Sequence, residues 1–174
     1  MSTDRSGHWD DLIVDQTGEQ ADLRKSGKIL SRASEMVWGN TRMGYNALAV
    51  SPLKGYALRT LHAHIDVIAA GGATGKHRHS SEAVMLCVAG EGYSVIDGTR
   101  YDWAEGDVFV VPSASWHQHF NRSQTKTATY FAVTNWPLTA ALGLSYQEYA
   151  EGEAPDNGSS ASTTPLEQGK GANR

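Results

Sequence analysis

Apolar and polar residues alternate with a period of two through much of the middle of the chain, a pattern typical of β-strands. The longest run, residues 57–68, places His62 and His64 on one face and mostly apolar residues on the other. Shorter runs follow, and glycine or proline turns separate them: residues 83–88, 93–96, 99–103, 108–111 and 127–134. Several short strands at this spacing predict a closed, all-β architecture of antiparallel strands.

Turn residues predict where several of these strands end. Asp97-Gly98 is the strongest short hairpin signal in the chain, and it joins residues 93–96 to residues 99–103. Pro112 cannot donate to a strand ladder, so it ends residues 108–111, which we expect to form a buried strand. The strand after Ala83 has two faces. Met85 and Cys87 point inward, where we expect them to wall an apolar pocket. Val84, Leu86 and Val88 point the other way, toward a second layer.

Composition divides the chain into three segments. Residues 1–28 are polar and charge-mixed, and we expect them to form an N-terminal arm or loose cap. Residues 29–150 hold the barrel, with short strands predicted over 29–56 and one short helix-compatible stretch within 138–150. Residues 151–174 contain almost no apolar residue to bury, so they predict a disordered tail.

Two histidine-bearing segments lie within these strands, His77-Arg78-His79 and His117-Gln118-His119. Because strand side chains alternate, both imidazoles of each segment point to the same side, while Arg78 faces away. Two such pairs on neighbouring strands can converge on one metal ion. Neutral imidazole suits Zn, Fe, Cu and Ni, and three imidazoles with open coordination positions make a reactive rather than a structural centre.

His62 and His64 form a further pair at the same spacing. No comparable glycine, proline and asparagine spacing flanks this pair, and its face is mostly polar. We therefore predict a wet or hydrogen-bonded face there rather than a ligand set, with substrate contact as an alternative if the face turns inward.

The spacing of glycine, proline and asparagine residues around the His77-Arg78-His79 and His117-Gln118-His119 segments resembles the two sequence motifs of the cupin superfamily. Eight positions over 51 residues fall on the cupin spacings: Gly71, His77, His79, Gly90, Gly106, Pro112, His117 and Asn121. At one further motif position this chain has Ala114, where the family usually has glycine. The resemblance implies a double-stranded β-helix, the cupin jelly-roll barrel, with core motifs at residues 71–121.

The position that holds a metal-binding glutamate in many cupins is Ala83 or Val84 here, depending on the spacing used. Glu82 lies one residue away, on the opposite pleat face, and a strand cannot swap faces without a bulge. We therefore expect a three-histidine site of His77, His79 and His117, with Glu82 a fourth ligand only if a bulge turns it inward.

Within the cupins, the HRH segment followed by alanine, and the later Trp-His-x-His-x-Asn segment, are similar to gentisate 1,2-dioxygenase and its salicylate- and hydroxynaphthoate-cleaving relatives. The resemblance implies Fe(II) held by three histidines and ring cleavage with O2, although Zn, Mn or Ni would also suit the ligands. His119 lies one pleat beyond His117. It is expected to act as a catalytic proton donor and acceptor toward the substrate or to support the ligands, the alternative being a hydrogen-bonded core histidine.

Composition limits the partners. The chain has 174 residues, 40% of them hydrophobic, which suits one domain with a substantial core but not two full barrels. Its net charge is −4 and it has no basic cluster, so neither nucleic acid nor a membrane is an expected partner. The lone Cys87, the lack of an export pattern and the lack of a transmembrane-length apolar run favour the cytoplasm. The family resemblance implies a homodimer formed through sheet faces.

The sequence thus predicts a metal-dependent cupin dioxygenase acting on O2 and a small hydroxylated aromatic or similar chelating anion. One alternative is a redox-silent cupin isomerase or lyase acting on a sugar acid or keto acid with a Lewis-acid metal. Another is a barrel that binds a small molecule without turning it over.

Overall fold

The structure is a computed structural model, and it describes residue 18 and residues 21–151. In that part of the chain the strands are β1 (Trp38–Asn40), β2 (Tyr45–Val50), β3 (His62–Ile68), β4 (His77–His79), β5 (Ala83–Ala89), β6 (Glu91–Ile96), β7 (Thr99–Ala104), β8 (Val108–Val111), β9 (His117–Asn121), β10 (Ala128–Thr134) and β11 (Gln147–Tyr149). Residues 21–26 are helical, a second short helix covers Trp136–Ala141, and single 3-10 turns cover Ala33–Glu35 and Pro52–Lys54.

The strands form two antiparallel sheets. The six-stranded sheet has the order β1-β2-β3-β10-β5-β8, and the five-stranded sheet has the order β11-β4-β9-β6-β7. Residues from both sheets meet in one apolar core that includes Met85, Ile96, Trp103 and Tyr130. The prediction of an all-β jelly-roll is therefore confirmed.

The predicted hairpin at Asp97-Gly98 joins β6 to β7, and both of its residues have positive φ, 46° and 82°. Two consecutive positive φ values are typical of the tight turn that matches strand twist. Inside this hairpin, Gly92 lies against β9 and Trp103, where a Cβ would come within 2.1 Å of the Phe120 carbonyl oxygen. A side chain at position 92 would therefore force β6 away from β9 and displace the Trp103 ring.

The alternation on β5 agrees with the sequence, since Met85 and Cys87 are buried in the core. The opposite face is solvent-exposed rather than packed on a second layer, so that expectation is wrong. The expectation of a buried strand at 108–111 is also wrong, because β8 is the edge of its sheet and only Val111 is fully buried there. The outward residues of both strands make one exposed apolar surface, which we call the valine face: Val84, Leu86, Val88, Val108 and Val110.

The strand predicted over residues 57–68 begins later, at His62, because residues 57–61 lead in from the bridge between Lys28 and Tyr56. It is a central strand, paired with β2 and β10. Its polar face points into the barrel, so the expectation of a wet face is wrong, while substrate contact by His62 and His64 stays a prediction.

The predicted arm and tail lie largely outside the described residues. Of residues 1–28, only residue 18 and residues 21–28 are described, and 21–26 form a helical turn. Of the predicted disordered tail, residues 152–174 lie outside the described part. Within residues 21–151, no helix combines the length and apolar character that a membrane crossing would need.

Candidate metal centre

Three histidines from two strands converge inside the barrel. One nitrogen from each of His77, His79 and His117 lies within 4.8 Å of the other two. His77 and His117 are direct cross-strand partners between β4 and β9, and their Nε2 atoms are 3.1 Å apart. The register between these strands therefore brings the two motifs of the sequence to one point.

The other ring nitrogen of each histidine is held by a backbone carbonyl oxygen. Nδ1 of His77 lies 2.8 Å from the Gly75 oxygen, and Nδ1 of His117 lies 2.8 Å from the Ser115 oxygen. Nδ1 of His79 likewise lies 2.8 Å from the Ser81 oxygen. A carbonyl oxygen only accepts hydrogen bonds, so each Nδ1 carries the proton and each Nε2 presents a lone pair.

This arrangement leaves two hydrogen-bond acceptors facing each other. With both Nδ1 atoms protonated, the Nε2 atoms of His77 and His117 repel across 3.1 Å unless a cation lies between them. Donation of Nδ1–H to a carbonyl is also the usual way in which proteins orient a metal-binding imidazole. The donor set therefore fits a metal ion that takes neutral nitrogen ligands.

Burial keeps these imidazoles neutral. It lowers the pKa of His77 to about 4, with the nearby His79 contributing. Burial, followed by the neighbouring His77 and His119, lowers the pKa of His117 to about 2. Burial also lowers the pKa of His79. At neutral pH the lone pairs are therefore available without loss of a proton from the rings.

Local geometry explains how the second motif delivers His117. Ala114 takes φ +67°, the left-handed region in which glycine is the usual residue, and its N–H donates to the His79 carbonyl oxygen at 2.8 Å. Asn121 ends the same strand, with its side-chain amide donating to carbonyl oxygens of Ile68, Ala69 and Lys126 and its Oδ1 accepting from the backbone N–H of Ser123. Both motif positions thus fix turns around β9.

No carboxylate joins the three imidazoles among the residues that the structure describes. Glu82 is exposed and β5 starts after it with Ala83 turned inward, so no bulge brings Glu82 to the cluster. Arg78 also faces out, where it pairs with Glu148 at 2.6 Å and lies over the Trp116 ring.

His119 is buried one pleat beyond the cluster, at 2% exposure. Its Nδ1 lies 2.7 Å from the Ser94 hydroxyl, which accepts a hydrogen bond from Trp103 Nε1 at 2.9 Å. Trp103 can only donate and cannot accept the serine proton, so we assign that proton to His119 Nδ1. The outer nitrogen, Nε2, then carries the ring's hydrogen, and burial lowers the pKa of His119 to about 3.

Residues 64–134 match the family model described as the cupin domain. The match includes both histidine motifs and most strands of the two sheets. The chain carries a cupin domain.

This cupin is similar to 5-aminosalicylate 1,2-dioxygenase of Comamonas sp, with 35% identity over 68% of this chain and 31% of that protein. It is also similar to gentisate 1,2-dioxygenase of Ralstonia sp, with 31% identity over 47% of this chain and 23% of that protein. The cupin thus spans less than a third of the length of these two relatives.

Solved structures show the same fold. Salicylate 1,2-dioxygenase from Pseudaminobacter salicylatoxidans aligns with a TM-score of 0.54 and 22% identity, covering 76% of this chain and 35% of that one. At that identity the likeness supports the fold of this cupin and not its substrate.

Two cavities of the cupin meet at the histidine cluster. An outer pocket of about 330 Å³ opens to solvent and is lined by His62, His64, His79 and Trp136, among others. An inner cavity of about 30 Å³ is enclosed by the cluster, His119 and further residues of β3, β5 and β10. His64 and His79 are among the residues that line both, so they lie between the solvent-accessible entrance and the inner cavity.

Sequence reasoning missed several residues of this site. Tyr149 on β11 stacks on the His77 ring at 5.8 Å between centroids, and Arg42 lies over Tyr149 at 4.4 Å. Tyr130 on β10 contacts His119 edge-on at 5.2 Å. Asp66 shares a strand face with His62 and His64, and this alternation could have identified it as a third inward polar residue on β3.

Proposed function

We propose that this cupin is a non-haem Fe(II)-dependent dioxygenase that acts on a small hydroxylated aromatic or similar chelating anion. The single observation that carries the proposal is that the Nε2 lone pairs of His77 and His117 face each other at 3.1 Å, beside the imidazole of His79. Among the described residues, no carboxylate belongs to this cluster. Ring-cleaving enzymes among its relatives, such as 5-aminosalicylate 1,2-dioxygenase, support the choice of chemistry.

His77, His79 and His117 are the proposed metal ligands. Because all three ligands are neutral, a divalent ion keeps its full double charge for further ligands, which favours an anionic, bidentate substrate. Fe(II) held there would supply redox chemistry toward O2 and the coordination positions for the substrate. Zn, Mn and Ni also bind imidazole, so the resident metal needs direct measurement.

The rest of the site excludes water and fixes a hydrogen-bond donor. Ala83, Met85 and Val111 wall the inner cavity with apolar surface. His119, oriented by Ser94, is the proposed catalytic residue that donates a hydrogen bond from Nε2 to a substrate oxygen. The outer pocket, of about 330 Å³, is large enough for one substituted ring, and the His62 ring stacked on Trp136 supplies a flat wall.

The decisive experiment uses protein purified without oxygen and loaded with Fe(II). We expect oxygen uptake with at least one of gentisate, salicylate, a hydroquinone or a 1,3-diketone. The His117→Ala variant should lose uptake, whereas the control Glu82→Gln, an exposed carboxylate outside the cluster, should keep it. Iron-loaded protein that consumes no oxygen with any of these compounds would contradict the proposal.

The same experiment separates the alternatives. Metal-dependent turnover of a sugar acid or keto acid without oxygen uptake would favour an isomerase or lyase. Tight binding of a small molecule without any turnover would favour a binding module.

We also propose that two copies of the cupin associate as a homodimer through the valine face. Its five residues are exposed by 38% to 62% although all are apolar, and an apolar surface of this kind usually marks an interaction site. Light scattering after size-exclusion chromatography should show a dimer that Val110→Lys dissociates. The control Val37→Lys, at an exposed position outside this face, should leave it intact. A wild-type monomer would contradict the proposal.

A further inference from the structure

Asp66 is a buried carboxyl group in the middle of the central strand β3. Its residue is 2% exposed, and its neighbours in register are Asn46 on β2 and Tyr130 on β10. Among the residues that the structure describes, its Oδ2 is the one buried side-chain oxygen or nitrogen without a hydrogen-bond partner. His64 Nε2 lies 3.1 Å away, but its direction does not meet hydrogen-bond geometry.

A buried carboxyl oxygen without a hydrogen-bond partner lowers the stability of the fold, and a charged carboxylate lowers it more than a neutral carboxylic acid. Burial raises the pKa of Asp66 to about 8, against a lowering by the hydrogen bond from Asn46. Burial lowers the pKa of His64 to about 4. In the metal-free protein at neutral pH both groups are therefore uncharged, and the Asp66 carboxyl group retains a proton that it can donate.

The position of Asp66 gives this donor a target. Asp66 lines the inner cavity together with the three proposed metal ligands and His119. Neither this cavity nor the outer pocket is lined by a lysine or an arginine from residues 21–151. An anion that enters the site therefore meets uncharged donors on the protein side.

We propose that Asp66 is a substrate-binding residue that, as a neutral carboxylic acid, donates a hydrogen bond from Oδ2 to an anionic oxygen of the substrate. The hydrogen bond from Asn46 holds the carboxyl group at the wall of the inner cavity. The inference rests on the proposed function, because it assumes a chelating anion at the three-histidine site. No proton is transferred, so Asp66 contributes to binding rather than to the chemical step. A buried carboxylic acid kept neutral by an apolar site is a known kind of hydrogen-bond donor in enzymes.

Titration of Asp66 then sets an alkaline limit on substrate binding. The titratable groups that face it are His64 on the same strand, Tyr130 on β10, and the histidines of β4 and β9 across the cavity. Burial lowers the pKa of each of these histidines and raises the pKa of Tyr130 well above its usual value. Asp66 is thus the described group of this cavity whose charge changes in mildly alkaline solution. Once ionised, it repels the anion that it otherwise binds.

The first test needs neither metal nor turnover. Infrared difference spectroscopy of the metal-free protein should show the carbonyl stretch of a protonated carboxylic acid at neutral pH. Asp66→Asn should remove this band, and the control Asp102→Asn, an exposed carboxylate paired with Arg100, should keep it. A wild-type spectrum without the band would overturn the proposal.

The second test measures salicylate binding to the metal-loaded protein without oxygen. Wild-type affinity should fall at least tenfold across the pH range in which the infrared band of the metal-loaded protein disappears. Asp66→Asn, which keeps a neutral donor of the same shape, should bind within about threefold of wild type at neutral pH and lose this pH dependence. Asp66→Leu, once shown by circular dichroism to be folded, should bind at least tenfold more weakly at every pH.

Equal salicylate affinity of Asp66→Leu and wild type, or the same alkaline loss in Asp66→Asn as in wild type, would overturn the proposal. A wild-type protein that binds salicylate in this way but consumes no oxygen with salicylate or any of the other compounds named above would contradict the proposed dioxygenase and not the role of Asp66. The two failures are therefore distinguishable.

Discussion

Acid should unfold the metal-free protein unusually early, because the barrel holds several histidines that cannot be protonated while it is folded. Burial lowers the pKa of His64 and His77 to about 4, of His119 to about 3 and of His117 to about 2, from an ordinary value of 6.5. Each depressed pKa stabilises the folded state fully above 6.5. That stability is lost as the pH falls, because the unfolded chain binds the protons first.

Asp66 acts in the opposite direction. Its pKa is raised from 3.8 to about 8, so the folded state keeps a proton that the unfolded chain has released. Its contribution is fully present below pH 3.8 and is lost as the pH rises toward 8. On unfolding, these four histidines take up four protons and Asp66 releases one, a net uptake of about three protons, which corresponds to a loss of about 4 kcal/mol for each pH unit below about 6. His62, whose pKa burial also lowers to about 4, adds to this loss.

A loss of that size is comparable with the whole stability of an ordinary domain, about 5–15 kcal/mol. We therefore expect the metal-free protein to unfold with a midpoint between about pH 4 and 6. Urea titrations of chelator-treated protein, followed by tryptophan fluorescence from pH 8 to pH 5, measure the slope directly. His64→Gln removes one of the four protons and should reduce the slope by about 1.4 kcal/mol per pH unit. A free energy of unfolding that stays constant from pH 7 to pH 5 would refute the reasoning.

Four further predictions concern single residues and the metal. Ala114→Gly should raise the free energy of unfolding by about 0.5–1 kcal/mol in urea titrations, because it relieves a left-handed backbone at φ +67°. Gly92→Ala should lower it by about 1–3 kcal/mol, because the new methyl group has no room beside Trp103. Ser94→Ala should cost about 1–3 kcal/mol in the same titrations, since Trp103 and His119 lose a shared partner, and should lower the turnover of the iron-loaded enzyme. Metal occupancy, measured by elemental analysis after dialysis, should hold at pH 6.5, because burial keeps the ligand imidazoles neutral there, and should fall between about pH 6 and 4 as the protein unfolds; unchanged occupancy in strong acid would argue against a histidine-only site.

The period-two pattern was sufficient to predict the strands that carry the histidines. His77 and His79, and His117 and His119, point into the barrel because strand parity leaves no alternative once one member of each pair is inward. The convergence of the two segments depends on a register between β4 and β9, which the motif spacing indicated and alternation alone could not. Ala83 faces inward and Glu82 outward for the same reason of parity.

Other features depend on neighbours that a single sequence does not reveal. β8 contains four consecutive apolar residues, which suggested a buried strand, but it is an edge strand whose outer face meets no other element among the described residues. β11 is three residues long, and it forms because β4 offers a free edge beside His77. β3 lies between β2 and β10, and its face that carries His62, His64 and Asp66 is the one that lines the two cavities. Polar content alone was a misleading guide to solvent exposure there.

The central claim is that His77, His79 and His117 hold one metal ion through Nε2 without a carboxylate. Anaerobic titration with Fe(II), followed by calorimetry, tests it most directly with the wild type, the three single histidine-to-alanine variants and Glu82→Gln. We expect one ion per chain for the wild type and Glu82→Gln, and at least a tenfold loss of affinity in each histidine variant. Undiminished binding in His117→Ala, or loss of binding in Glu82→Gln, would contradict the account.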